Sequence, residues 1–343
     1  MVNAFDILTD NSLGLKLEAI SIRELFYIGN APCNVYVYEK QKFKPILTFG
    51  KMIDVQLLKD LLKNNMLKIF VPKVERYKII ETHQQVLTKL TRSLSMGVNI
   101  NNVKKQLNVL TITLQHLYED PTNDDILTTQ FQGIKNLFKF LIEHPENHYE
   151  LYIEYAKSKH HFIFSQPMFS SIFLTGILKN SHLFSLREME NLFIASYFKD
   201  VGMSAIPYEK YDQVKLSKRD RKSFLNHPEN SIKILTGRIP LSYNFFKIIE
   251  AHHFLSILKS EMINDEEPES EDQLIIGSET ILVIALDIFA ALISERPYRK
   301  AVSLFEALEI LKDQIGNQYP REFKLIVNYF KIFFAQGGEQ KSA

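Results

Sequence analysis

Five side chains in the sequence carry groups that can bind a metal ion. Asp287 lies in the run ILVIALDIFAALI, which is apolar on every face of a helix. A carboxylate buried there needs a cation, a metal ion or strong hydrogen-bond donors, because burying it unpaired costs several kcal/mol. The other four side chains are one carboxylate and three imidazoles: Asp200, His227, His252 and His253. Nitrogen and oxygen ligands without sulfur suit iron, manganese, zinc or nickel.

Each of these residues also has an ordinary structural interpretation. Asp287 can equally be one half of a buried salt bridge or a protonated acid. A single histidine is more often a packed or surface residue than a ligand. The five do not share the His-x-x-x-His spacing of a local metal motif. On residue types alone, a metal site and a purely structural pairing both stay open.

The elements that would position these groups are predicted to be helical. From Glu81 onward the apolar periodicity predicts helices at 81–97, 101–118, 124–143, 147–158, 167–180, 186–199, 217–235, 241–259, 278–294, 303–315 and 320–335. Pro228 is expected to distort the helix that carries His227. His252 and His253 fall near the middle of the helix at 241–259. The run NDEEPESED at 264–272 holds six acids in nine residues and predicts an exposed loop.

The first 80 residues have a different character. The segments 34–40, 45–50 and 67–72 predict strands, and 54–66 has helical spacing. A small α+β domain is therefore expected at residues 1–80, followed by a helical connector at 81–150 and a helical domain at 151–343. Nothing in the α+β domain indicates catalysis, and Cys33 is expected to be a small core residue.

The composition excludes several classes of protein. The 343 residues include 41 Lys and Arg against 40 Asp and Glu, so bulk charge gives no reason to expect nucleic acid or an anionic membrane as a partner. The single cysteine excludes an internal disulfide framework and a multi-cysteine zinc site. The run 281–293 is too short to span a bilayer, and the N-terminus lacks the pattern of a signal peptide. A soluble, cytoplasmic protein is expected.

Four blocks of the sequence resemble successive signature blocks of the HD-GYP family. In chain order they are FIASYFKDVGMSAIP, NHPENSIKIL, IIEAHH and ILVIALDIFAALISERPYRKAVSLFEAL, within about residues 162–311. The resemblance implies a mainly α fold, a helical HD-superfamily bundle, preceded by the small α+β domain as a sensory or partner-binding module. The family consists of metal-dependent phosphohydrolases that hydrolyse cyclic di-GMP.

The sequence departs from the family pattern at positions that matter for catalysis. The family's His-Asp pair is Lys199-Asp200 here, and Met203 replaces the lysine usually found three residues after the Asp. Gln166 stands where the upstream metal-binding histidine is expected. After His253 the chain has a run of acids and no Gly-Tyr-Pro.

Carried over residue by residue, the resemblance predicts one ion, iron or manganese, in place of two. The ligand set of the second metal is complete, with Asp200, His227, His252 and His253, whereas the first metal keeps only Asp200 and Asp287. A lysine ammonium cannot be a metal ligand. We therefore expect Lys199 to replace the first metal as the counter-charge for Asp200 and Asp287; the alternative is that Lys199 extends to solvent.

The resemblance also assigns the remaining basic residues. Arg296 and Arg299 match the family positions that contact substrate phosphates, although they can equally cap the preceding helix. The basic segment 215–222 is expected to be a solvated helix face, with docking to an acidic protein partner as the alternative. The predicted function is a divergent signalling protein, weak or inactive as a cyclic di-GMP phosphodiesterase and acting as a regulatory, ligand-binding module. Slow phosphodiester hydrolysis and a metal-free scaffold are the alternatives.

Overall fold

The computed structural model describes residues 14–97, 99–255 and 277–339. The chain divides into two compact units, Met1–Met96 and Gly97–Ala343. The acidic run at 264–272 lies outside the described residues. The predicted boundaries near residues 80 and 150 fall inside helices, and the three-part division of the chain stays a prediction.

The first unit contains a four-stranded antiparallel sheet and two helices. Its strands, in chain order, are β1 (Leu17–Ser21), β2 (Val35–Glu39), β3 (Lys42–Leu47) and β4 (Lys68–Pro72), with sheet order β1-β4-β2-β3. Its helices are α1 (Val55–Lys63) and α2 (Arg76–Met96). The predicted strands and the helix at 54–66 are present. Strand β1 was not predicted, because LEAIS has a single β-branched residue, Ile20, and no aromatic residue.

The core of this unit lies on one face of the sheet. Val35, Val37, Ile69 and Val71 alternate along β2 and β4 and are buried. Cys33 is completely buried beside them, as predicted for a core residue. Burial raises the pKa of its thiol to about 11.

The described residues of the second unit form helices joined by loops, with an isolated β-bridge between Arg296 and Arg299. Its helices are α3 (Ile100–Glu119), α4 (Asp124–Glu143), α5 (His148–Lys157), α6 (Phe162–Ser181), α7 (Leu186–Phe198), α8 (Lys218–Leu225), α9 (His227–Leu235), α10 (Tyr243–Ala251), α11 (Ser278–Ile293), α12 (Leu304–Leu311) and α13 (Pro320–Glu339). The predicted mainly α fold with a small N-terminal α+β domain is confirmed.

Helix α6 lies at the centre of this unit. By length and hydropathy it could span a membrane, but 89% of its most apolar window is buried inside the fold, as in a core helix of a soluble protein. Phe173 of α6 packs edge-on against Phe289 of α11 and Phe333 of α13. Gly176 lets α13 approach closely, since a Cβ there would lie 2.1 Å from the Tyr329 ring.

Two of the predicted helices are wrong in a way that matters for the site. The helix predicted at 217–235 is broken at Asn226, so that His227 begins a new helix with Pro228 in its first turn. The helix predicted at 241–259 ends at Ala251, and His252 and His253 lie in the turn that follows. Consecutive residues on a helix point about 100° apart. Leaving the helix therefore allows both imidazoles to face one point.

Candidate metal centre

Asp200 is held where helix α7 gives way to the short 3-10 segment Val201–Ala205. That segment packs tightly on the start of α9, because a Cβ on Gly202 would lie only 2.1 Å from the His227 carbonyl oxygen. The Gly202 amide donates to the Ser231 hydroxyl at 2.8 Å, and the hydroxyl donates to the Lys199 carbonyl at 2.6 Å. These contacts fix Asp200 relative to His227.

A tyrosine from helix α3 also holds the backbone at Asp200. The buried Tyr118 hydroxyl donates to the Asp200 carbonyl at 2.7 Å, and its ring packs edge-on against Phe164. The sequence carries no local signal for this role, because Tyr118 lies 82 residues from Asp200. Gly202 and Ser231 were missed for the same reason, although both lie inside the signature blocks.

Four predicted ligands meet at one point: Asp200, His227, His252 and His253. Asp200 Oδ1 lies 3.1 Å from His227 Nε2 and 3.2 Å from His252 Nε2. The His227 Nε2 atom lies 3.2 Å from His252 Nε2 and 3.3 Å from His253 Nε2. Neighbouring donor atoms on a metal ion with bonds of roughly 2.0–2.2 Å are separated by similar distances.

The hydrogen bonds behind the imidazoles decide which nitrogen faces this point. His227 Nδ1 lies 2.5 Å from the Phe224 carbonyl, and His252 Nδ1 lies 2.5 Å from the Ile249 carbonyl. A carbonyl only accepts, so each Nδ1 carries the proton and each Nε2 presents a lone pair. These lone pairs face each other and the Asp200 carboxylate. Lone pairs and a carboxylate at this distance repel one another unless a cation lies between them.

Two of the three imidazoles are shifted toward their neutral form. Burial lowers the pKa of His227, and burial together with the two neighbouring imidazoles lowers that of His253 well below its usual value. Neutral imidazoles are the form that binds metal. Asp200 and the three histidines therefore fit a single divalent ion, held by Asp200 Oδ1 and the three Nε2 atoms. The identity of these residues as ligands stays a prediction.

Lys199 points inward and is completely buried. Its ammonium forms ion pairs with Asp200 Oδ2 and, at 2.6 Å, with Asp287 Oδ1. Burial alone would lower the pKa of Lys199, but the two carboxylates raise it above its usual value. Burial would likewise raise the pKa of Asp200, whereas Lys199 holds it well below the usual range. Lys199 therefore pairs with both carboxylates, as predicted, and does not extend to solvent. That it replaces a metal ion stays a prediction.

Gln166 contacts the same oxygen of Asp287 as Lys199 does. Its Nε2 donates to Asp287 Oδ1 at 2.8 Å, and its Oε1 accepts from Arg296 Nη2 at 2.8 Å. The sequence resemblance placed the missing upstream histidine at this position. An amide and an ammonium therefore both donate to Asp287 Oδ1.

A cavity of about 500 Å³ opens over this centre. Asp200, His227, His253, Asp287 and the buried Met203 line it. The Met203 thioether lies where the family has a lysine, so this part of the wall offers no charged donor. Gln166 and several aliphatic side chains also line the cavity, together with cationic and aromatic side chains: Lys210, Arg221, Arg296, Arg299, Phe162, Tyr211, Phe224 and Tyr298.

The two predicted phosphate-binding arginines have different surroundings. Arg299 caps the end of α11, donating to the carbonyls of Ala291 at 2.6 Å and Leu292 at 3.0 Å. Arg296 lies over the Phe162 ring, 4.5 Å from its centroid. The capping alternative therefore describes Arg299, although both side chains line the cavity. Their binding of phosphate stays a prediction.

The basic segment 215–222 forms the start of α8. Ser217 caps this helix, and Asp220 pairs with Lys210 at 3.2 Å. Lys215, Lys218 and Lys222 are exposed, as predicted for a solvated face. Arg221 differs from these, because it lines the cavity.

Comparison with known proteins shows what the domain and the fold are similar to. Residues 174–322 match the family model for the HD domain. Among solved structures, the chain is similar to Bd1817, an HDG"Y"P protein from Bdellovibrio bacteriovorus, with a TM-score of 0.62 and 15% identity, covering 92% of this chain and 99% of that chain. No curated protein matches the chain in sequence. Residues 174–322 therefore match an HD domain, and the fold of the chain is similar to that of an HD-GYP protein.

Proposed function

We propose that the protein is a regulatory, ligand-binding member of the HD-GYP family. In this proposal it holds one divalent ion and is weak or inactive as a cyclic di-GMP phosphodiesterase. The observation that carries this proposal is the buried Lys199 ammonium, which binds the carboxylates of Asp200 and Asp287 together. In a two-metal hydrolase these oxygens would bind the first ion.

The surroundings of Asp287 support the absence of a second ion. Its Oδ1 atom already accepts from Lys199 and from Gln166. An incoming cation would have to displace a buried ammonium, which repels it, and an amide. The remaining four-ligand set suits one iron or manganese ion, and HD domains bind divalent metals.

The consequences for catalysis follow from what this chain supplies. One divalent ion supplies Lewis acidity toward a phosphate oxygen, and a second ion would share the transition-state charge. Met203 donates no hydrogen bond to an oxyanion, and we expect the loss of such a donor to slow the reaction by about 100-fold. Arg296 and Arg299 can still bind phosphate. We therefore expect the protein to retain ligand binding although rapid turnover is lost.

Cyclic di-GMP is the ligand that we propose, from the family relation. Cations around the cavity suit its phosphates, and aromatic side chains suit its bases. We further propose a cytoplasmic location, and we assign partner binding to the N-terminal α+β domain or to segment 215–222. No nucleic acid or membrane partner is proposed.

Elemental analysis of protein purified without added metal or chelator tests the proposal. We expect about one ion per chain, with cyclic di-GMP binding and little hydrolysis. The double variant Gln166→His, Lys199→His returns two imidazoles to the first site and is expected to bring the count to about two. Two ions in the wild type would contradict the proposal, and none would favour a metal-free scaffold.

The complete four-ligand set also favours a second candidate, slow phosphodiester hydrolysis with one ion. In that case His252→Ala abolishes the hydrolysis of cyclic di-GMP, because it removes a ligand. An unchanged rate in the variant would assign the activity to a contaminant.

A further inference from the structure

We propose that Gln166 is a positioning residue that holds Arg296 at the cavity wall, ready to bind an oxyanion such as a phosphate group. The proposal rests on the proposed function in one respect, that the ligand of this cavity is anionic. It gives Gln166 a role that differs from the metal binding expected at its position.

The neighbours of Gln166 permit only one orientation of its amide. The Asp287 carboxylate can only accept and the Arg296 guanidinium can only donate. The amide must therefore direct its NH2 group to Asp287 and its oxygen to Arg296, as the two 2.8 Å contacts show. In the reverse orientation the amide oxygen would face the Asp287 carboxylate, and the NH2 group would face the Arg296 guanidinium. Neither pair can form a hydrogen bond.

Asp287 is itself immobilised by the buried Lys199 ammonium. The order of contacts is therefore Lys199, Asp287, Gln166 and Arg296, and it begins in the buried centre and ends at the cavity. Each contact fixes the next, so the position of Arg296 depends on the charge pair behind it.

A neutral amide suits this task better than a carboxylate. Gln166 accepts a hydrogen bond from Arg296 without cancelling its charge. The described contacts of the Arg296 side chain with Gln166 and Tyr298 use two of its five N–H groups. The Phe162 ring covers one face of the guanidinium. The charge and the other donors are therefore available to an anion, and the cost of ordering the side chain is already met.

A double-mutant cycle tests the coupling, with inorganic phosphate as the probe and calorimetry on the metal-loaded full chain as the measurement. We expect Gln166→Leu and Arg296→Lys each to weaken phosphate binding about fivefold. The double variant should be no weaker than the weaker single variant, because Gln166 acts only through Arg296. Arg221→Lys provides the matched control, because Arg221 lines the same cavity from α8. When Arg221→Lys and Gln166→Leu are combined, their fold-reductions in phosphate affinity should multiply.

Two further variants keep the test decisive. Gln166→Met preserves the side-chain length and replaces Gln166→Leu if the latter fails to fold. Gln166→Glu keeps an acceptor for Arg296 but neutralises it, and is expected to weaken phosphate binding although the contact survives. If Gln166 had a purely structural role, phosphate binding would be the same with the neutral acceptor of Gln166 as with the charged acceptor of Gln166→Glu.

The outcomes separate this proposal from the proposed function. Three results would each overturn the positioning role. The first is that the losses of phosphate affinity multiply in the Gln166 and Arg296 double variant, and the second is that Gln166→Met loses no affinity. The third is that the wild type does not bind phosphate. The metal content of the Gln166 variants should stay at about one ion per chain. Rapid cyclic di-GMP hydrolysis or two ions in the wild type would contradict the proposed function and leave the coupling between Gln166 and Arg296 unaffected.

Discussion

At the scale of single residues, the centre is organised by one buried positive charge. Lys199 binds both carboxylates, and Asp200 uses its two oxygens differently, Oδ2 toward Lys199 and Oδ1 toward the histidines. The buried Asp287 thus obtains a partner without a metal ion. A pair buried in this way is costly to disrupt, because removing one partner leaves the other charge unpaired.

Lys199→Met is therefore expected to lower the free energy of unfolding by about 3–5 kcal/mol in chelator-treated protein, because it leaves the buried Asp287 and the half-buried Asp200 carboxylates without their cation. Methionine fills a similar volume, so the loss reports the charge. Urea denaturation measures the effect. Lys233→Met, which breaks an exposed ion pair with Glu229 on α9, is the control and should change stability by at most about 0.5 kcal/mol. A Lys199→Met variant as stable as the wild type would contradict this account.

At the scale of elements, the site depends on how closely the segment after α7 approaches α9. Gly202 has no room for a Cβ, since the atoms it would meet are the His227 carbonyl oxygen at 2.1 Å and the Ser231 amide nitrogen at 2.4 Å. Both belong to the backbone and cannot rotate away. The distance between Asp200 and His227 is thereby set by two backbones in contact.

Gly202→Ala should accordingly destabilise the protein by about 3 kcal/mol and reduce its metal content, because the segment must move away from α9. Thermal denaturation and elemental analysis measure the two effects. Gly29→Ala is the comparison, since a Cβ at Gly29 meets nothing within 4 Å. Full metal content in Gly202→Ala would show that the approach is not required.

Helix packing also buries a histidine in its neutral form. His148 of α5 donates from Nε2 to the Leu141 carbonyl at 2.9 Å and accepts at Nδ1 from the Tyr329 hydroxyl of α13 at 3.0 Å. Burial lowers its pKa to about 4. The unfolded chain therefore binds a proton near pH 6.5 that the folded chain binds only near pH 4.

The contribution of His148 to stability is thus present above about pH 6.5 and is lost as the pH falls toward 4. Between pH 7 and pH 4.5 it amounts to about 2–3 kcal/mol. His148→Gln keeps a donor for Leu141 without titrating, and should reduce the pH dependence of the unfolding free energy by that amount. Urea denaturation at both pH values measures it, with His144→Gln as the control in a partly exposed histidine. An unchanged pH dependence in His148→Gln would be contrary to expectation.

At the scale of the whole molecule, the chain consists of two units with cores of their own. The first is a small sheet with two helices, and the second carries the candidate metal centre and the cavity. The sequence contains one cysteine, and it lies in the core of the first unit. Its thiol can therefore report on the opening of that unit alone.

We expect Cys33 to react very slowly with iodoacetamide in the folded protein at pH 8. A thiol pKa of about 11 reduces the thiolate fraction about 100-fold relative to the ordinary value of 9.0, before burial slows access further. Mass spectrometry across a urea series should show labelling begin when the first unit unfolds. N-acetylcysteine serves as the reference, and complete labelling of folded protein within minutes would contradict the buried position.

The sequence by itself determined most helices, the buried setting of Asp287 and the chemical nature of the predicted ligand set, because periodicity and residue type are properties of near neighbours. It also predicted that Lys199 would compensate Asp200 and Asp287, since a buried carboxylate requires a partner wherever it lies. The outer strand β1 was missed, because its local composition does not indicate a strand. It is a strand because it pairs with β4, which is distant in the sequence.

Only the tertiary structure decided which side chains meet. The break at Asn226 and the turn after Ala251 depend on how α8, α9 and α10 pack, and this packing directs His227, His252 and His253 to one point. Gln166 and Asp287 are separated by 121 residues, so no local pattern can indicate their hydrogen bond. The physical reason is that helix propensity acts between neighbours in sequence, whereas polar contacts form between whichever groups the packed core leaves facing each other.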